Sequence, residues 1–324
     1  MPVVRVIREE MTAVIAVDLG GTNLRAALVD SDATILVHTA TSTPATGPSG
    51  RVITAAIIAR IEALLETAEG REVAAIGVAS AGPLDLGRGW VTNSPNIAFP
   101  VVEITGPLRE RFGLPVALIN DARAGILGEC WAGAARGSED AVYVTLSTGI
   151  GGGVVANGHL LLGMNGNAGE IGHILVDTRY NLTCGCGYRG HWEGYASAKY
   201  VPRFFAAWRE EVDVRRVAFD ATSTRAIFEA ARAGDPVALA FMDALGQVNA
   251  RGISTIIVAY NPEVIVLDGP LARYYGEIVI GHAEPYIDRF LTLPRIVVSD
   301  LAGRAPLLGA AAYALKMTGA GAGP

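Results

Sequence analysis

Short apolar runs separated by glycine turns set the rhythm of this chain. Val14 to Val17 form a buried-strand pattern ending in Asp18, and Leu19-Gly20-Gly21-Thr22-Asn23 follows as a turn. Ala26 to Val29 resumes the run, Asp30-Ser31-Asp32 turns again, and Thr34 to Val37 continues it. Strand, glycine turn, strand, turn, strand is the pattern of an antiparallel meander. The same pattern returns later in the chain. Val142 to Leu146 leads through Ser147-Thr148-Gly149-Ile150-Gly151-Gly152-Gly153 into Val154-Val155-Ala156, and Asn157-Gly158 is a type I′ hairpin signal before His159 to Leu161. Helical and buried-strand segments follow each meander: Ile53 to Leu65 and Val73 to Val78 in the first half, Ala238 to Ala259 and Val264 to Leu267 in the second. The recurring element order predicts a duplicated β-β-β-α-β-α unit, hence two α/β domains.

Composition narrows the function classes. At 324 residues, with 51% hydrophobic and 18% charged positions, the chain can bury a substantial core. A net charge of −6 argues against a nucleic-acid-binding surface. The most apolar late stretch, Ile253 to Leu267, is interrupted by Asn261-Pro262, so no membrane span is expected. Nothing at the start of the chain reads as a secretory leader, and a soluble cytoplasmic protein is expected. Three cysteines, two of them separated by one glycine, do not make a disulfide framework.

Both glycine turns follow a strand and carry a threonine. Glycine lets the backbone approach closely, and its N–H groups can wrap phosphate oxygens. Neither turn is a Walker motif, because no Lys-Ser or Lys-Thr follows, and Gly149-Ile150-Gly151 runs into a strand instead of a helix. A matched pair of such turns suits one nucleoside triphosphate, with Asp18 at the strand tip able to hold Mg²⁺ directly or through water. Asn120-Asp121 ends the apolar run Pro115 to Ile119. Asp121 is there either a catalytic base at a strand's C-terminal end or the N-cap of a helix over Ala122 to Cys130. The stretch from Gly169 to Glu193 concentrates polar chemistry: His173, Cys184, Cys186 and His191 make a two-thiolate, two-imidazole zinc set. Four protein ligands leave no open coordination position, so that zinc would be structural. Glu170 and Glu193 flank the set and are placed to accept hydrogen bonds from a ligand's hydroxyls.

These motifs together resemble the ROK family of sugar kinases and repressors, within the actin-like ATPase (ribonuclease H-like) fold. The resemblance rests on Asp18-Leu-Gly-Gly-Thr22, Asn120-Asp121, Ser147-Thr148-Gly149-Ile-Gly-Gly, Gly169-Glu170-Ile-Gly-His173 and Cys184-x-Cys186-Gly-x-x-Gly190-His191-x-Glu193, and it spans essentially the whole chain. It implies ATP-dependent phosphorylation of a hexose at its 6-hydroxyl, glucose first, with Asp121 as the base. It implies sugar contacts from Asn96, Asn120, Glu170, His173 and Glu193. ATP would be surrounded by Gly20, Gly21, Thr22, Thr148 and Gly149, with Gly269 near adenosine. Zinc would fix the orientation of His173. N-acetylmannosamine or fructose is the alternative substrate.

A repressor of the family carries a DNA-binding helix-turn-helix ahead of its core; the phosphate motif beginning at Asp18 and the negative charge count against that reading. The chain departs from the commoner family pattern at His191, where a third cysteine is usual, and at Asp268-Gly269-Pro270, which replaces a Gly-Gly pair. The resemblance also implies a homodimer. The architecture expected is a small domain at residues 1–119 and a large one at 120–305 across a cleft, with a last helix near 306–317 returning to the first domain. Segments around Pro83, Asn93 to Phe99 and Asn165 to Ala168 would shape the sugar pocket.

Overall fold

The computed structural model describes residues 12–68, 71–164 and 166–319, so Asn165 of the expected pocket segments lies outside the described residues. The chain folds as two compact units, one formed by residues 1–133 with 304–324, the other by 134–303.

In the first unit the meander is β1 (Ala13–Leu19), β2 (Asn23–Asp30) and β3 (Ile35–Ser42). Helix α1 (Arg51–Glu66) leads to β4 (Val73–Ser80). An insertion of three short antiparallel strands follows: β5 (Leu84–Asp85), β6 (Trp90–Thr92) and β7 (Val101–Glu103). Then come α2 (Thr105–Phe112), β8 (Val116–Asn120) and α3 (Asp121–Ala132). The main sheet has the order β3-β2-β1-β4-β8, with β4 parallel to β1 and β8 parallel to β4. The apolar runs are the buried strands: every residue of β1 except Asp18 is buried. Ile53, Ile57, Ile61 and Leu64 recur at one-turn spacing along α1 and bury its inner stripe.

The second unit repeats this plan. Strands β9 (Ala141–Leu146), β10 (Ile150–Ala156) and β11 (His159–Leu160) form its meander. After the polar segment come α4 (Glu193–Ala196), α5 (Val201–Glu211), α6 (Thr224–Arg232) and α7 (Pro236–Tyr260). They are followed by β12 (Val264–Asp268), α8 (Gly269–Ala283) and β13 (Arg295–Val298). The sheet order is β11-β10-β9-β12-β13, the order of the first sheet element for element, with the same parallel and antiparallel pairs. Helix α7 starts where the Asp235 side chain accepts the Val237 and Ala238 amides, with Pro236 in its first turn. It stops at Asn261, whose left-handed φ of 44° precedes Pro262.

Helix α9 (Ala305–Thr318) closes the chain and packs on β1, β4 and α3 of the first unit. Small residues let it in: a Cβ on Gly77 of β4 would collide with the Ala310 carbonyl, and one on Gly309 with the Ala124 carbonyl. Because α3 is held by α9, the chain leaves the first unit after Gly133, beyond the boundary expected at 119/120. Asp121 therefore belongs to the first unit together with Asp18. Among the described residues no helix is long and apolar enough to cross a membrane.

Candidate active site

In the first unit, β1 delivers Asp18 to the edge of the turn that joins it to β2. The turn is pinned by Gly20 N–H on the Asn23 carbonyl at 3.0 Å and by the Thr43 hydroxyl on the Gly20 carbonyl at 2.7 Å. Gly21 and Thr22 stand exposed at its tip. Gly21 has no room for a side chain, because the backbone carbonyl of Asn96 lies where its Cβ would be. The main chain of Asn96 thus abuts the phosphate-type turn, and the residue itself is exposed.

Two carboxylates share this corner. Asp18, only 14% exposed in its side chain, sits 3.7 Å from Arg25. Burial pushes its carboxyl up to about 6; Arg25 opposes the shift and the Asp121 carboxylate adds to it. Asn120 is the N-cap of α3: its Oδ1 accepts the Ala122 and Arg123 amides at 3.1 and 3.3 Å. The cap reading of Asp121 is thereby excluded. Asp121 is the first helical residue, its Oδ1 2.8 Å from the Ala122 amide. A pair of carboxylates, one of them disfavoured as an anion by burial, is donor chemistry that suits Mg²⁺.

The second unit holds the matching turn. Ser147 N–H donates to the Gly149 carbonyl at 2.9 Å, and Thr148 is exposed at the tip, as Thr22 is in the first unit. Gly269 borders this turn: it adopts φ +90°, and a Cβ there would meet the Leu146 carbonyl. Its neighbour Asp268 is buried, receives the Tyr143 hydroxyl at 2.9 Å and lies 3.9 Å from Arg273. The pair Asp268-Gly269 thus keeps the glycine that the backbone demands. The Asp268 carboxylate takes the Tyr143 hydroxyl on Oδ2, while its buried Oδ1 accepts no hydrogen bond from the described residues and lies 3.9 Å from Arg273.

The polar segment folds as two antiparallel bridges, Leu175 with His191 and Thr183 with Arg189. These bring its ligands together. His173 ends a 3-10 turn (Ile171–His173) that starts after the exposed Glu170, with the His173 amide on the Glu170 carbonyl at 3.1 Å. Cys184 Sγ is 3.8 Å from His173 Nδ1, and Cys186 Sγ is 3.2 Å from His191 Nδ1. One donor atom from each of the four lies within 4.8 Å of every other. A tetrahedral zinc with bonds of about 2.3 Å to sulfur and about 2.1 Å to nitrogen separates its ligands by roughly 3.4 to 3.8 Å, so these residues fit. Burial pushes the Cys184 thiol up to about 12; a hydrogen bond from the Cys186 backbone opposes this and the Glu193 carboxylate adds to it. A thiolate at Cys184 accordingly needs a cation beside it, and a zinc ion on these four residues would supply one.

Three contacts here carry no sequence signal of their own. Glu193, expected to face a ligand's hydroxyls, accepts the Ile150 amide on Oε2 at 3.1 Å. The Trp192 indole donates to Asn249 of α7 at 2.9 Å in a buried bond. The buried Asp177 receives the Tyr195 hydroxyl at 2.8 Å and the Tyr180 amide at 2.8 Å, anchoring the base of the segment. The Glu193–Ile150, Trp192–Asn249 and Asp177–Tyr195 bonds join residues 43, 57 and 18 positions apart, and only the tertiary fold pairs them; the Asp177–Tyr180 bond is a local turn contact.

Two units of one topology, each with a glycine hairpin at the same place in its sheet, define the actin-like ATPase fold, here in the form that sugar kinases use. The chain belongs to the ROK family, whose profile matches residues 14–317. A glucokinase of Thermotoga maritima is 37% identical over 319 residues, covering 94% of this chain and 98% of that one. The crystal structure of a ROK hexokinase from Thermus thermophilus superposes with a TM-score of 0.80 at 33% identity, over 95% of this chain and all of the other. A ROK family glucokinase from Streptomyces griseus, solved in complex with glucose and AMPPNP, gives 0.73 at 33% identity, over 94% and 99%.

Proposed function

We propose that this chain transfers the terminal phosphoryl group of ATP to the 6-hydroxyl of a hexose, with glucose as the preferred acceptor. The observation that carries the reading is the coincidence, in one ROK chain, of both glycine hairpins, the Asn120-Asp121 strand end and the His-Cys cluster. Its 37% identity to a glucokinase along nearly its whole length supports glucose within that class.

In this reading the N–H groups around Gly20, Gly21 and Thr22, and those around Thr148 and Gly149, hold the phosphates, while Gly269 borders adenosine. Asn96, Asn120, Glu170, His173 and Glu193 take sugar hydroxyls; Asn120 does so through its amide nitrogen, since its oxygen caps α3. Asp121 accepts the proton of the 6-hydroxyl as that oxygen attacks the γ-phosphorus, the bond to the bridging oxygen breaks, and ADP leaves. Support for Asp121 in this role is that Asn120 satisfies the helix start in its place. Mg²⁺, held by Asp18 directly or through water, would neutralise charge on the phosphates. Zinc on His173, Cys184, Cys186 and His191 would be structural and would orient the His173 imidazole toward the sugar. A homodimer is part of the same reading.

The deciding experiment measures ADP release by the purified protein across glucose, fructose, mannose and N-acetylmannosamine. The expected result is the highest kcat/KM with glucose. Stimulation of ATP turnover by none of the hexoses would overturn the kinase reading, and a preference for N-acetylmannosamine would replace the substrate.

A further inference from the structure

Glu193 stands at the joint between two loops that the proposed reaction uses for different purposes. Its Oε2 accepts the Ile150 amide at 3.1 Å. Ile150 is the first residue of β10 and pairs with Leu146 across the phosphate-type turn, so this bond fixes one side of the turn. A Cβ on Gly149 would come within 2.5 Å of the same Oε2, which places the carboxylate directly against the turn. The other oxygen, Oε1, lies 3.5 Å from Cys184 Sγ of the His-Cys cluster. One carboxylate therefore touches both the cluster that holds His173 and the turn that carries Thr148 and Gly149.

The backbone of Glu193 is firmly seated. The preceding Trp192 is 1% exposed, donates its indole N–H to Asn249, and presses its ring against Gly252, where a Cβ would meet it. Long helix α7 thus clamps the segment from behind, and Glu193 meets the turn from a fixed origin. Ile150 is itself 4% exposed. Without the carboxylate, its amide would be left with no acceptor among these contacts, and an unpaired amide in that setting favours rearrangement of the turn.

We infer that Glu193 is a positioning residue for the nucleotide phosphates, acting through the Ile150 amide and the space over Gly149, and that it couples sugar binding to nucleotide binding. A sugar hydroxyl that fixes this carboxylate also fixes the turn, so less ordering remains for the nucleotide to impose. By linkage the nucleotide strengthens sugar binding by the same factor. The inference rests on the kinase reading above, in which Glu193 is a sugar contact only.

Calorimetric titration with AMPPNP and Mg²⁺ in the absence of sugar separates the two roles. A pure sugar contact predicts the same Kd for wild type and Glu193→Ala. The positioning role predicts a Kd about tenfold higher in Glu193→Ala, the loss expected for one charge-assisted hydrogen bond. It also predicts substantial recovery in Glu193→Gln, whose carbonyl oxygen can still accept the Ile150 amide. Gly149→Ala gives the reciprocal test and does not depend on Glu193→Ala folding, because the new methyl meets only the far end of a flexible side chain. Its displacement of Glu193 should raise the Kd for glucose, measured without nucleotide, by about fivefold or more. An unchanged AMPPNP Kd in Glu193→Ala, or an unchanged glucose Kd in Gly149→Ala, overturns the inference. Failure of the wild-type protein to bind AMPPNP would instead bring down the kinase reading beneath it.

Discussion

Two aspartates in the first unit divide the work at the scale of single residues. Asp121 opens α3 without having to cap it, and its replacement should affect turnover far more than binding. We expect Asp121→Asn to bind glucose with nearly wild-type Kd while kcat falls by about a hundredfold to ten-thousandfold, as for loss of a general base. Near-normal turnover in that variant would remove Asp121 from the mechanism. Asp18 makes a different prediction, because burial holds its carboxyl near 6 in the folded protein. Well below pH 4 the group is protonated both folded and unfolded, and it costs nothing. As pH rises toward 6 the unfolded chain ionises first, so stability falls, and above pH 6 the full penalty of about 3 kcal/mol is present. Without divalent cation, Asp18→Asn should therefore raise Tm by several degrees at pH 7.5 and change it little at pH 4. Equal shifts at both pH values would show that the carboxylate is not strained by burial. A strand-tip acid that weakens the empty protein is understandable if a cation normally compensates it.

At the scale of elements, the polar segment between β11 and α4 lacks regular strands or helices long enough to hold itself. Two isolated bridges, the buried Asp177 and the clamp from α7 fix its ends. With zinc bound, as proposed, the His-Cys cluster would crosslink what lies between. Removing the thiols should loosen His173 before anything else. Purified wild-type protein should hold about one zinc per chain and Cys184→Ser/Cys186→Ser protein almost none, and the variant's KM for glucose should rise by about tenfold or more. Equal metal content in both proteins would dispose of the zinc assignment. A similar division of labour explains the two hairpins. Both expose a threonine at the tip, yet only the first has a carboxylate at its strand end: register places Asp18 opposite Arg25, whereas Thr145 takes the corresponding place opposite Gly151. The duplicated element is conserved in shape and has diverged in charge.

Across the whole molecule, duplication is the dominant fact. Two five-stranded sheets of identical order are built from two stretches of different sequence, down to their turns: Gly20-Gly21-Thr22 in one and Ser147-Thr148-Gly149 in the other. Helix α9 joins the first unit although it is the last element of the chain. If the dimer belonging to the proposed function forms, light scattering should give the mass of two chains at micromolar concentration, and a single-chain mass there would exclude it.

The sequence alone determined the elements and the chemical inventory. Apolar runs bounded by Gly20-Gly21, Asp30-Ser31-Asp32 and Asn157-Gly158 marked the strands, because turn residues and side-chain alternation act over a few positions. The spacing of Cys184, Cys186 and His191 marked them as a candidate metal set for the same local reason, and the fold brings their donor atoms and that of His173 within 4.8 Å of one another. The sequence did not reveal the short strands β5 to β7, which have too few residues to show a period, nor where the chain leaves the first unit, which depends on α3 meeting α9. Only the tertiary structure decided that Asn120 takes the cap and Asp121 does not, since the two are adjacent and both suit a helix start. It alone placed Glu193 against Gly149 and Trp192 against Asn249. Those contacts span 44 and 57 positions by residue number, and no local pattern encodes them. They form because the segment is held on one side by the Ile150 amide of β10 and on the other by Asn249 of α7, both far from it along the chain.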